Sequence, residues 1–217
     1  MKYFSAILFI ILGFISCTEA IEPSNKEENV VVNEKNANIK TDSILKASNF
    51  ETYSDSIGNI GVFEVPEMLV FSLLDSCSFK DAPFVISKAY SILQNEIKEC
   101  GAEIGGAAGC ISYNNDTNNY VFECIIPIKQ IAKKNPKKSK MVALTAGNMA
   151  IYNYYGSYQY LYRGYANLRS YIKKNNYKAI GPMREFYITD AMKEKNPEKW
   201  LTRLMIPVSK INKPTNI

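Results

Sequence analysis

Two stretches, ISKAYSILQNEI at residues 86–97 and LYRGYANLRSYI at residues 161–172, decide the fold when laid over each other at an offset of 75. Ile86, Tyr90, Leu93 and Ile97 fall on Leu161, Tyr165, Leu168 and Ile172. The residue classes and the spacing agree, and each set makes one apolar stripe of an amphipathic helix. Asp81 with Pro83 starts the first helix, and Ser157 after Gly156 starts the second. Gly101 ends the first, and Asn175-Asn176 suits a left-handed C-terminal cap for the second.

Working outward, strands flank both helices. VFEVPEMLVFSLL precedes the first and MVALTAGNMAIYNYY the second. GGAAGCISY and NYVFECIIPI follow the first across the turn-rich NNDTNN, and GPMREFYIT and KWLTRLMIPV follow the second across a longer loop. Glycine and closing proline also repeat in order, Gly106 over Gly181 and Pro127 answering Pro207. The expectation is an α+β fold of duplicated β-α-β-β modules, residues 60–128 and 141–208, in pseudo-twofold arrangement. The antiparallel sheet should carry both helices on one face and a concave ligand cleft on the other. The lysine-rich run 133–140 that joins the modules reads as a solvated connector, with contact to anionic headgroups as the alternative.

The N-terminus has a different character. Lys2 precedes an uncharged apolar run too short to span a bilayer and shaped like a secretory h-region. Its end, Phe14-Ile15-Ser16-Cys17, resembles the bacterial lipobox, with Phe14 where leucine is usual. The resemblance implies a signal peptide over residues 1–17, lipidation of Cys17 by acyl chains such as palmitate, and a membrane-anchored protein of the bacterial cell envelope. A plain signal peptide cut after Ala20 is the alternative. Residues 18–58 hold eight acidic and four basic side chains with few aromatics, which suits a disordered polar spacer. Residues 59–217 form the folded domain, large enough to bury roughly two thirds of its unfolded surface without staples.

The chain has no histidine, which removes His-ligated zinc and haem, Ser-His-Asp and Cys-His machinery, and imidazole switching. Cys77, Cys100, Cys110 and Cys124 lack CxxC spacing, so neither a metal site nor a cofactor is expected.

GPMREFYITD, residues 181–190, places an acid in an apolar strand. Alternation sends Met183, Glu185 and Tyr187 to one side and Arg184, Phe186 and Ile188 to the other. If Phe186 and Ile188 face the helices, Glu185 lies on the concave face between a thioether and a phenol. Ten of the fifteen tyrosines fall between residues 152 and 187. Tyr152, Tyr154 and Tyr155 straddle a strand end and are the candidate aromatic lining, while Tyr158 and Tyr165 lie on the helix stripe as core residues. An aromatic hollow with one carboxylate attracts cations, because ring faces and a desolvated acid both favour positive charge. Two plainer readings stay open: Glu185 pairs with Arg203 on the next strand, or it is exposed.

From Met141 to Val208 the chain is similar to the GyrI-like, or AraC-type effector-binding, small-molecule-binding domain. The matching residues are Tyr155-Gly156-Ser157-Tyr158, then Tyr165 and Leu168, Gly181, Glu185-x-Tyr187, and Thr202 through Pro207-Val208. The first repeat matches only in layout. The resemblance implies a paired-module fold that binds amphipathic, often cationic aromatic molecules, with Glu185 a ligand contact and Tyr187 part of the lining. Two departures stand out. The offset sets Cys110 where Glu185 stands in the other half, and Cys110 faces Cys124 if their hairpin centres on Thr117. A helix-turn-helix commonly accompanies the domain; an export signal and spacer stand in its place here, so no nucleic-acid partner is expected.

Three functions follow as expectations. The first is a membrane-tethered module that binds a hydrophobic or cationic ligand, as sensor or scavenger. The second is a hydrolase of electrophilic small molecules, with Glu185 as general base and Tyr187 or one of Tyr152, Tyr154 and Tyr155 as donor. The third is an envelope protein-interaction lipoprotein with a vestigial pocket.

Overall fold

The computed structural model describes residues 60–211, so the expectations for the signal peptide, Cys17 and the spacer fall outside the described residues. Helices α1 (Ala82–Glu99) and α2 (Leu161–Lys174) bury the two predicted stripes: Ile86, Tyr90, Leu93 and Ile97 on one, Leu161, Tyr165, Leu168 and Ile172 on the other. Asp81 occupies the N-cap of α1. A single 3-10 turn, Tyr158–Tyr160, follows Ser157 and leads into α2. Both helices end in left-handed residues, Gly101 at φ 69° and Asn176 at φ 58°, as their sequences predict.

The segment before each helix departs from expectation, for it is two strands rather than one. The first breaks at Pro66-Glu67 into β1 (Ile60–Val65) and β2 (Met68–Cys77), because proline has no N–H for a ladder. The second breaks at Thr145-Ala146 into β5 (Lys140–Leu144) and β6 (Gly147–Tyr155). The break lets the leading strand of each half cross to the other: β1 pairs with β6, and β5 with β2. With β3 (Gly109–Ser112), β4 (Tyr120–Pro127), β7 (Tyr177–Ala179), β8 (Met183–Tyr187) and β9 (Leu201–Lys210), the antiparallel sheet has the order β1-β6-β9-β8-β3-β4-β2-β5. The short β7 pairs with β9 off that path.

That order is symmetric about β3–β8, where Cys110 stands opposite Glu185. An offset of 75 carries one of these residues onto the other, so the pseudo-twofold axis passes between them. The sheet must also curl. β1 sits at one edge and β2 next to the other, yet only Pro66 and Glu67 join them, a span of at most about 11 Å. The result is a half-barrel. Its inner face is packed with Val65, Met68, Val70, Ile111, Ile125, Met149, Ile151, Phe186 and Met205, which come from both edges and the centre. The helices cover the outer face, α1 over β2 and β4, α2 over β6 and β9.

The connector is more than a solvated run. Its lysines are exposed, but its backbone is held by Glu96, a buried α1 carboxylate that accepts hydrogen bonds from the N–H groups of Lys137, Lys138 and Ser139 and from the Ser139 hydroxyl. Cys110 and Cys124 face each other across β3 and β4, as a hairpin centred on Thr117 requires, and both are buried free thiols.

Candidate functional site

Strand β8 lies at the molecule's centre, with β3 on one side and β9 on the other. Its alternation is as predicted, but the faces are exchanged. Phe186 packs into the inner core of the half-barrel. Met183 packs against the α2 stripe and Tyr187 against the α1 cluster, so the side bearing Glu185 is the one that carries the helices. The assignment of Met183, Glu185 and Tyr187 to the concave face is thereby corrected. Its basis was the apolarity of Phe186 and Ile188. Both faces of this sheet are buried, and apolarity cannot tell one from the other.

Glu185 is 5% exposed. Tyr165 of α2 donates its hydroxyl to Oε1 at 2.6 Å, and Tyr187 donates to Oε2 at 3.3 Å. No cationic side chain contacts it among the described residues. Arg203, the alternative partner, lies on the inner face and donates Nε–H to Asn153 at 2.9 Å. Burial raises the Glu185 pKa to about 7, although the two phenols act in the other direction. Burial, together with the neighbouring carboxylate, holds the hydroxyls of Tyr165 and Tyr187 well above the ordinary phenol value. Both therefore act as donors.

Around this pair stand groups from the first half. Tyr90 is the α1 counterpart of Tyr165, and its hydroxyl donates to the Gly109 carbonyl at 2.5 Å because a thiol, Cys110, takes the place of the carboxylate. Tyr187 meets Tyr158 edge-on at a centroid distance of 6.0 Å, and Tyr158 lies against Trp200 at 4.9 Å. The site is one buried acid in a wall of phenols, thiols and rings. Desolvation favours its neutral form, so a positive partner would gain much of the attraction that water denies a surface carboxylate.

The proposed tyrosine lining is not assembled there. Tyr152 stands two strands from Glu185, about 10 Å away, with fully buried Leu204 between them. Tyr154 packs behind α2 against Gly164, and Tyr155 is 59% exposed on the opposite side of its strand. Tyr165 and Tyr90, core positions by their place on the helix stripes, are the ones the fold delivers. The signal was available: a phenol in a buried stripe must find an acceptor. A cavity of about 330 Å³ lies on the far flank of α1, lined by Leu73, Asp75, Phe84, Val85, Lys88 and Ile92, and is separate from this centre. Among the described residues no group of histidine, cysteine or acidic side chains is placed to hold a metal ion.

A half-barrel of two exchanged modules, with a phenol-held carboxylate at their junction, defines the class of small-molecule-binding α+β domains. The chain belongs to the GyrI-like small-molecule-binding domain family, whose model matches residues 59–209. The EcmrR C-terminal domain superposes with a TM-score of 0.62 at 19% identity, covering 70% of this chain and 98% of that one. A hydrolase from Listeria innocua superposes at 0.54 with 14% identity, covering 74% and 97%. SAV2435 bound to tetraphenylphosphonium superposes at 0.51 with 13% identity, covering 70% and 94%. At these identities the likeness is one of fold. A search of curated proteins finds no significant match.

Proposed function

We propose that this protein is a membrane-tethered receptor for lipophilic, cationic aromatic molecules, acting as sensor or scavenger in the bacterial cell envelope. One observation carries the ligand class: Glu185 is buried, has a pKa raised to about 7, and among the described residues is bonded only to phenols. A buried acid without a cationic neighbour is a costly feature to keep unless a cation visits it. Entry requires a phenol to yield. The Tyr187 bond is the longer of the two and its ring is only partly buried, so Tyr187 is the side chain expected to turn. The related SAV2435 has been seen with tetraphenylphosphonium, which makes that cation a suitable probe.

Binding is measured on wild type and Glu185→Gln with tetraphenylphosphonium and with neutral triphenylphosphine oxide. The reading expects the cation to bind at least about tenfold more weakly to Glu185→Gln, with the neutral compound unaffected. Equal cation binding by both proteins would contradict it. No binding of any such compound would favour the protein-interaction reading with a vestigial pocket.

The tether rests on residues 1–17. Metabolic labelling with an alkynyl palmitate analogue should mark wild type, and Cys17→Ala should lose the label and the membrane fractionation that survives a high-salt wash. Among the described residues no helix is long and apolar enough to cross a membrane. A hydrolase remains the second reading, because a carboxylate with a pKa of about 7 suits a general base. Turnover of an electrophilic ester or epoxide that is lost in Glu185→Gln would establish it.

A further inference from the structure

We propose that the lysine-rich connector between the two halves is a contact surface for anionic phospholipid, held in shape by the buried carboxylate of Glu96. The inference rests on neither the Glu185 reading nor the lipidation of Cys17. Oε1 of Glu96 accepts the N–H groups of Lys137 and Lys138, both at 2.8 Å, and Oε2 accepts the N–H and hydroxyl of Ser139 at 2.8 and 2.5 Å. Upstream, the N–H groups of Lys133 and Lys134 donate to the Cys100 carbonyl at 2.9 and 3.3 Å. The backbone of the run is thus fixed at both ends to the C-terminal turn of α1. A connector needed only for length has no use for a buried carboxylate, whose desolvation costs several kcal/mol unless fully satisfied.

The side chains point the other way. Lys133, Lys134, Lys137, Lys138 and Lys140 are all exposed, and none makes an ion pair among the described residues. Lys98 and Lys129 extend the patch. The acids nearby are Glu99, which is exposed, and Glu103, which Lys129 meets at 3.3 Å. Positive charge therefore dominates. Two exposed apolar side chains lie next to the run, Ile131 at 40% exposure, two residues before Lys133, and Ile104 at 47%, bridged to Ile128 one residue before Lys129. Lysines that meet phosphates around isoleucines that enter the acyl boundary make the pattern of an interfacial contact. The patch holds no arginine and no aromatic ring, the groups that read or stack on bases, and this separates it from a nucleic-acid surface.

The test is vesicle flotation of the full chain carrying Cys17→Ser, so that no acyl group is attached. Vesicles of phosphatidylcholine alone are compared with vesicles containing about one-third phosphatidylglycerol. The N-terminal run and its Lys2 are common to every variant, so the loss on Lys137→Ala/Lys138→Ala isolates the patch. The expected result is stronger binding to the anionic vesicles, lost at high salt and reduced about tenfold or more by Lys137→Ala/Lys138→Ala. These exposed truncations leave the Glu96 hydrogen bonds intact and should leave the melting temperature unchanged. Lys173→Ala/Lys174→Ala, at the end of the other helix, should bind as wild type. Equal binding to both vesicle types, or insensitivity to Lys137→Ala/Lys138→Ala, would overturn the proposal. So would displacement of the vesicles by duplex nucleic acid at equal phosphate, which would reassign the patch.

Discussion

Burial raises the pKa of Glu185 to about 7 against the hydrogen bonds of Tyr165 and Tyr187, and the sign of its effect on stability follows. Below about pH 4.5 folded and unfolded chains both hold this proton. Between about 4.5 and 7 only the folded chain does, so stability falls as pH rises and the loss is complete above 7. Glu185→Gln should therefore be more stable than wild type by roughly 3 kcal/mol at pH 8, the gap closing as pH falls below 4.5. Thermal melts across that range check it, and a gap that does not vary with pH would contradict the assignment. Tyr165→Phe keeps the ring and removes the 2.6 Å donor. It should cost about 1–2 kcal/mol at pH 8, where the carboxylate is charged. An acid in an apolar strand was visible in the sequence. Its α2 partner was signalled only as a phenol in need of an acceptor, and which acceptor it meets depends on the strand beneath it.

Helices and their limits were legible because each stripe, cap and terminator agreed with the next, and Gly164 shows how closely α2 then seats. A Cβ there would meet Leu204 Cδ1 at 2.8 Å and the Tyr154 ring at 3.2 Å. Leu204 is fully buried and has nowhere to go. Gly164→Ala gains about 1 kcal/mol of helix propensity but should lose more to overpacking, for a net cost of about 1 kcal/mol, measured by denaturant titration. The connector was less legible. Its lysines read correctly as solvated, while the Glu96 grip on its backbone joins residues some forty positions apart. Burial would raise the Glu96 pKa, but the Ser139 hydroxyl and three N–H groups outweigh it and hold the acid below its usual range. Its contribution is full above about pH 4.5 and lost as pH falls through the lowered value. Glu96→Gln should cost on the order of 2 kcal/mol at neutral pH and remove hydrogen-exchange protection at Lys137, Lys138 and Ser139.

At the scale of the molecule, duplication predicts two modules and a twofold relation, and the sheet order obeys both. The strand exchange was hidden, because Pro66 marks a break without saying where the chain goes next. The face of Glu185 was hidden for a related reason: a sheet buried on both sides leaves no polar edge to read. The two halves meet along β3–β8, where a Cβ on Gly109 would collide with the Glu185 carbonyl and the Phe186 ring. Backbone cannot yield there as a side chain can, and Gly109→Ala should cost more than about 3 kcal/mol or prevent folding. On the proposed reading, asymmetry at this seam, a carboxylate facing a thiol, makes a symmetric scaffold a site for one positive charge. Calorimetry of tetraphenylphosphonium binding at pH 7, in two buffers of different ionisation enthalpy, tests that claim most directly. Release of about half a proton per bound cation is predicted, since Glu185 is half protonated there and must ionise on pairing. Binding with no proton released, or unchanged by Glu185→Gln, would contradict it.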